Sequence, residues 1–274
     1  MDDPWTGYND GWSLNLLERI GLPFYYSKNP SGAVFLEGDA DKRYTDEELK
    51  ELFKNTVVMT SGIAKRIEDR GFSSLIGIKV LPWNGKNISG EKVFVNNNIT
   101  QRQKNAQELI PINNDVEILS EAYYTPDGGT TIKTLFPAST RYKNNLGGTA
   151  IVFCGTPVSE HNYLEGFSFL NETRKLQLTS LLTENGIMPI YYSGDAEMLA
   201  RAGKISEGRM LAVFTNLGYD ILDELELYCD KRIQNIEIMK PNGDFEAVGY
   251  KQSGHNLTVD ITVKPLDPII LVIN

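Results

Sequence analysis

Thr56-Val57-Val58-Met59-Thr60-Ser61-Gly62-Ile63-Ala64-Lys65-Arg66 is the stretch on which the reading of this chain turns. The run from Thr56 to Met59 predicts a short buried strand, and Thr60-Ser61-Gly62 predicts a tight turn. Ile63 and Ile67 recur at helical spacing, so a helix follows, with Gly71 closing it. In an α/β sheet such a strand–turn–helix lifts one side chain to the carboxyl edge, where nucleophiles and ligands collect. Thr60 and Ser61 are therefore candidate catalytic residues. A hydroxyl needs an adjacent base before it can attack a carbonyl. His161, in Ser159-Glu160-His161-Asn162, follows the strand that ends at Cys154 and is the third candidate. The competing reading is a sheet–helix turn that uses Thr and Ser because they cap helices.

Outward from this stretch, residues 1–192 alternate between helical and extended patterns. Thr45-Asp46-Glu47-Glu48 has the form of a capping box ahead of Leu49, Leu52 and Phe53. Residues 81–146 are richer in Asn, Gly and Thr. Within them 92–95 and 115–124 read as strands, the second feeding a hairpin through Pro126-Asp127-Gly128-Gly129. Gly148-Thr149-Ala150-Ile151-Val152-Phe153-Cys154 is a strong buried strand, and Thr173 can cap a helix carrying Leu176, Leu181 and Leu182. The alternation predicts an α/β domain over 1–192, a flavodoxin-like doubly wound, mostly parallel sheet with helices on both faces. Residues 193–274 change character. Short strand candidates follow one another there, and Pro241-Asn242-Gly243-Asp244 joins two of them with a strong hairpin signal. Leu257, Val259, Ile261 and Val263 alternate with Thr258, Asp260 and Thr262, so a small all-β sandwich is expected.

The chain has 274 residues, 41% hydrophobic and 23% charged, with a formal net charge of -9. That balance argues against a nucleic-acid partner, because phosphate binding needs clustered Lys and Arg. Cys154 and Cys229 lie far apart in apolar runs and only two histidines are present, so neither a zinc site nor any other metal or cofactor is expected. No apolar run is long enough for a membrane span, and no signal peptide is visible, which favours the cytoplasm. Met1-Asp2-Asp3-Pro4-Trp5 is abrupt for a natural start, and the expectation is a piece of a longer polypeptide.

Two further clusters could line a ligand. Glu37-Gly38-Asp39-Ala40-Asp41 ends a strand, and its acidic groups, Asp39 among them, could bind a cation or a hydroxylated ligand or form a solvated turn. Trp5, Tyr8 and Trp12 occur with Asp2, Asp3 and Asp10. Indole faces stack on the apolar faces of sugar rings while carboxylates accept hydroxyl hydrogens, so Trp5 and Trp12 are candidate carbohydrate-lining residues. The same cluster could instead pack on a neighbouring domain. The candidate lining set is thus Asp39, Thr60, Ser61, His161, Trp5 and Trp12.

The first half resembles class I glutamine amidotransferases in layout, with Thr60 or Ser61 where that family has a cysteine. The family also has a His and a Glu two residues apart, whereas Glu160 and His161 are adjacent. Both halves together resemble the C-terminal region of bacterial glycoside hydrolases related to β-galactosidases. There a catalytic (β/α)8 barrel is followed by an amidotransferase-like trimerisation domain and a small β-domain. The residues that carry this likeness are Asp46-Glu47-Glu48-Leu49-Lys50-Glu51-Leu52, Val57 to Gly62 and Glu68-Asp69-Arg70-Gly71-Phe72. In the β half they are Leu211-Ala212-Val213-Phe214-Thr215-Asn216-Leu217 and 265–273. The resemblance implies a non-catalytic accessory region, a homo-oligomer, and an N-terminal catalytic domain as partner. A stand-alone amidotransferase-like hydrolase and a sugar- or small-molecule-binding module are the alternatives.

Overall fold

The structure, a computed structural model, describes residues 11–27, 29–85, 87–129, 131–157 and 167–274. Contacts divide the chain into two units: 11–15 with Ser27–Ser180, and Leu16–Tyr26 with Leu181–Asn274.

The first unit carries strands β1 (Ala33–Phe35), β2 (Thr56–Thr60), β3 (Ile78–Pro82), β4 (Gly90–Val93) and β5 (Asn98–Thr100). Strands β6 (Gln107–Pro111), β7 (Glu117–Tyr124), β8 (Lys133–Lys143) and β9 (Thr149–Phe153) complete it. Its helices are α1 (Asp46–Leu52), α2 (Ser61–Asp69) and α3 (Ser73–Ile76), and α4 (Glu172–Glu184) leads out of it. Thr45 caps α1 as its sequence predicts: its hydroxyl accepts from the Glu48 amide at 3.2 Å, and Glu48 accepts from the Thr45 amide at 2.8 Å. In the opening stretch the strand and the helix form, but β2 runs straight into α2 at Thr60–Ser61 with no separate turn between them. Asn171, rather than Thr173, caps α4 by accepting from the Arg174 amide at 2.9 Å.

The doubly wound, flavodoxin-like α/β fold is not what forms. The described chain is 40% strand and 18% helix, and the main sheet of the first unit is a curled, mixed one. Its seven strands run β1-β2-β9-β8-β7-β4-β5. Only β1, β2 and β9 are parallel neighbours, with Val34 opposite Val57 and Val57 opposite Ala150. The rest is antiparallel. The physical reason lies in the connections. A parallel neighbour needs a crossover of a dozen or more residues, usually a helix. Here β8 reaches β9 through a tight turn in which Asn144 accepts from the amides of Leu146 and Gly148 and Gly147 takes φ 89°. β7 reaches β8 through the Asp127-Gly128-Gly129 turn, whose glycines also have positive φ. β8 tolerates Pro137 because it faces Glu121 between register shifts of β7. β3 and β6 stand apart as a two-stranded ribbon.

Period-2 alternation places Val57, Met59, Ala150 and Val152 in one core with Leu49, Ile63, Ala64 and Ile67 of the helices. The opposite face of β9 presents Phe153, whose ring meets Trp12 and Phe169 edge-on at 5.2 and 5.7 Å.

The second unit carries β10 (Ile190–Tyr192), β11 (Met198–Ser206), β12 (Arg209–Asn216), β13 (Leu225–Cys229) and β14 (Ile236–Met239). β15 (Phe245–Ala247), β16 (Tyr250–Ser253), β17 (Asn256–Val259) and β18 (Ile269–Ile273) follow. They form two antiparallel sheets, β10-β13-β17-β16 and β11-β12-β18-β14-β15. Both contribute to one core: Leu225, Leu227, Leu257 and Val259 from the first, Ala212, Phe214, Ile236 and Leu271 from the second. This half is sandwich-like. The Asn242-Gly243 turn joins β14 to β15, with Gly243 at φ 87°. Residues 16–26 belong here as well. Ile20 bridges Met198, the Tyr192 amide donates to the Gly21 carbonyl at 3.0 Å, and Arg19 pairs with Glu197 at 2.7 Å.

Candidate functional site

The elbow at the end of β2 is where chemistry was expected. Thr60 sits at its tip, 8% exposed and in the cap position of α2, but its side chain makes no capping bond. Ser61 is 2% exposed, and its hydroxyl donates to the Cys154 carbonyl at 2.6 Å. Among the described residues no His, Asp or Glu side chain hydrogen-bonds either hydroxyl. His161 and Trp5 lie outside the described residues.

The carboxyl edge beyond the elbow is covered by chain. Segment 102–107 lies across the end of β9: the Gln107 amide donates to the Cys154 carbonyl at 2.7 Å and the Thr156 amide to the Lys104 carbonyl at 3.0 Å. The approach is close enough to require glycine at 155. A Cβ there would stand 2.5 Å from both Gln103 Cβ and the Lys104 carbonyl oxygen. The Cys154 carbonyl thus accepts hydrogen bonds from both Ser61 and Gln107, and the Ser61 hydroxyl serves to tie the helix to the strand. Cys154 itself is buried, and burial, reinforced by the Glu91 carboxylate, pushes its thiol pKa well up. A reactive thiolate needs the opposite environment.

Of the two remaining candidates, Trp12 is committed to the core and Asp39 is not. Asp39 is exposed, and a hydrogen bond from Lys42 lowers its carboxyl pKa. Its neighbour Asp41 is buried and accepts from Arg66 Nε at 2.9 Å, while Arg66 Nη2 reaches the Gly38 carbonyl at 2.7 Å. Asp41 and the Gly38 carbonyl are thus folded around Arg66, while the Asp39 side chain stays 54% exposed. Trp12 is fully buried, its indole edge-on to Phe35, Phe153 and Phe169 at 5.2–5.6 Å. It packs a core and offers no face to a sugar ring.

The largest polar group of the first unit was not singled out in the sequence. Arg174 of α4 is fully buried between Phe153 and Phe169, with Cζ 5.0 and 4.7 Å from the ring centres. It grips Glu91 through Nη2 at 2.6 Å and Nη1 at 3.1 Å. Glu91 also accepts from Gln103 Nε2 at 2.8 Å and from the Ser120 hydroxyl, while Ser139 links Ser120 to Gln177. Four donors saturate the carboxylate, so it is no candidate for moving a proton. One signal was legible: Arg174 shares a helical face with Leu178 and Leu181, a cation on an apolar stripe. Glu91 in Gly90-Glu91-Lys92-Val93 gave none.

Gln103 connects this network to the surface. Its Oε1 accepts from the Gly155 amide at 2.7 Å. The loop that it anchors forms, with the loop after β3, an open cleft of about 350 Å³. Trp83, Ile88 and Ala106 supply the apolar part of the lining and Asn84, Asn87, Arg102 and Asn105 the polar part. Among the described residues no cluster of three His, Cys, Asp or Glu side chains could hold a metal ion. Nor does any helix there have the length and apolarity to cross a membrane.

A scan of the sequence against protein-family models finds no match, and a search of curated proteins finds none. Among solved structures the chain is similar to α-L-fucosidase isoenzyme 2 from Paenibacillus thiaminolyticus, with TM-score 0.50 and 8% identity over 89% of this chain and 40% of that one. It also aligns with a rhamnosidase from Novosphingobium sp. PP1Y, with TM-score 0.39 and 12% identity over 88% of this chain and 17% of that one. The chain spans less than half the length of either protein. At such identity the fucosidase likeness is one of fold. That fucosidase is a glycosidase by name, and the mixed sheet departs from the doubly wound one that the amidotransferase resemblance implied.

Proposed function

We propose that this chain is a non-catalytic accessory region of a carbohydrate-active enzyme. Its role is to support oligomerisation, or to buttress a catalytic domain carried on another part of the same polypeptide. The observation that carries this reading is the closed elbow: the Ser61 hydroxyl is spent on the Cys154 carbonyl beneath a covering loop. A nucleophile must instead be exposed, with a base in hydrogen-bond reach. The link to carbohydrate chemistry rests on the fold likeness to part of an α-L-fucosidase, and a fold alone carries function only by analogy.

The test is an assay of the 274-residue chain against a panel of nitrophenyl glycosides and nitrophenyl acetate, with Thr60→Ala and Ser61→Ala in parallel. No turnover above the uncatalysed rate is expected from any of the three proteins. Turnover that Ser61→Ala or Thr60→Ala abolishes would overturn the proposal. Ser61→Ala is expected to lose about 1 kcal/mol of stability, the size of one internal hydrogen bond, because the Cys154 carbonyl keeps the Gln107 amide.

A further inference from the structure

The cleft between the loops that follow β3 and β5 differs in kind from the elbow. It is open, the covering loop forms one of its walls through residues 102–106, and its lining is mixed in a specific way. Indole, isoleucine and alanine provide the smaller, apolar part; three asparagine amides provide donors and acceptors; none of the described lining residues carries a carboxylate. Its volume of about 350 Å³ falls inside the range of about 300–1,000 Å³ typical of small-molecule sites.

The walls are fixed rather than loose. The Trp83 ring packs against Phe136 at 4.7 Å between centres, and the Gly85 backbone lies so close to it that a Cβ would meet Trp83 Cζ2 at 2.4 Å. On the other wall Gln103 is 3% exposed and clamped between Glu91 and the Gly155 amide. Asn105 holds a left-handed backbone at φ 53°, which sets its position at the rim. A buried ion-pair network thereby braces one wall of a surface cleft.

We infer that this cleft is a saccharide-binding site. A pyranose unit presents apolar C–H groups and a ring of hydroxyls that both donate and accept. Amide side chains match that need, since each offers two donors and an acceptor. With no carboxylate among the described lining residues, none of them attracts a cationic ligand. This site is separate from the elbow and does not depend on the accessory role proposed above. A chain that binds no sugar could still be accessory, and a catalytic chain could still bind sugar here.

The experiment titrates the full chain with methyl glycosides of glucose and galactose, with galacturonate, and with spermidine as the cationic control. Binding is read by Trp fluorescence and by backbone amide chemical shifts. The test variant is Asn84→Ala/Asn105→Gly; glycine preserves the left-handed backbone while removing the amide. At least one sugar should saturate with shifts centred on Gly85, Asn87, Asn105 and Ala106, the double variant should bind at least tenfold more weakly, and spermidine should leave these signals unmoved. The assignment is overturned if no sugar produces saturable shifts up to about 100 mM, well above the millimolar weak-binding range. Shifts located elsewhere, or affinity unchanged in the double variant, would overturn it as well. The shift map of the unmodified chain decides the matter even if the variant folds poorly.

Discussion

Cys154 shows how one position can look chemical and be structural. It ends the strongest strand of the sequence, beside the elbow, yet its thiol is buried and its pKa is well raised. The direction has a consequence for stability. A group whose pKa is higher in the folded state binds its proton more tightly there, so its contribution is complete below the unfolded value of about 8.5. It is lost as pH rises from there toward the folded value. Urea unfolding measured between pH 7 and 10 should therefore show declining stability above about pH 8.5, and Cys154→Ala should flatten that decline. A slope identical in the two proteins would show that this thiol does not carry it. At this scale the sequence was partly legible: apolar neighbours marked Cys154 as core. The partner of Ser61 was not legible, because it is a backbone carbonyl 93 residues away.

Among the elements, α4 shows the limit of reading periodicity alone. Leu176 lies on the exposed side at 42%, and the buried stripe carries Arg174, Gln177, Leu178 and Leu181 instead. A charged side chain enters a core only with a charged partner. Here Glu91 comes from a strand 83 residues earlier, Gln177 and the Ser168 carbonyl add acceptors close by, and Nε of Arg174 is left without one among the described residues. Removing one partner leaves the other charged and buried. Arg174→Met is expected to cost about 3–5 kcal/mol, while Glu91→Met/Arg174→Met should recover much of that loss. Denaturant midpoints of the single and double variants check this; equal losses in both would exclude an uncompensated charge as the cause. The strands tell a related story. The βα order of 33–76 was legible and forms, but short connections decide whether later strands pair parallel or antiparallel. The turns at 127–129 and 144–147 turned a doubly wound expectation into a mixed sheet.

For the whole molecule, neighbours in sequence and neighbours in space part company. Residues 16–26 pack with a unit whose other residues begin at 181, and no local pattern announces a partner so distant. Gly21 makes that packing possible: it has φ 75°, and a Cβ would stand 2.4 Å from Tyr192 Cβ. Left-handed strain of about 1–2 kcal/mol and an overpacking cost of about 1–3 kcal/mol both fall on Gly21→Ala. A loss of about 2–5 kcal/mol is expected, visible as faster hydrogen exchange at the β10 and β11 amides. Unchanged protection there would sink the role given to this segment.

The pairing of β2 with β9 also sets a timetable for synthesis. Ser61 and Cys154 are 93 residues apart, so the apolar strand Thr56–Thr60 leaves the ribosome long before its central neighbour is made. At about 5–20 residues per second that delay is roughly 5–20 s. During it β2 has β1 on one side and an open edge on the other, which is the condition under which a nascent chain is captured by chaperones or by another copy of itself.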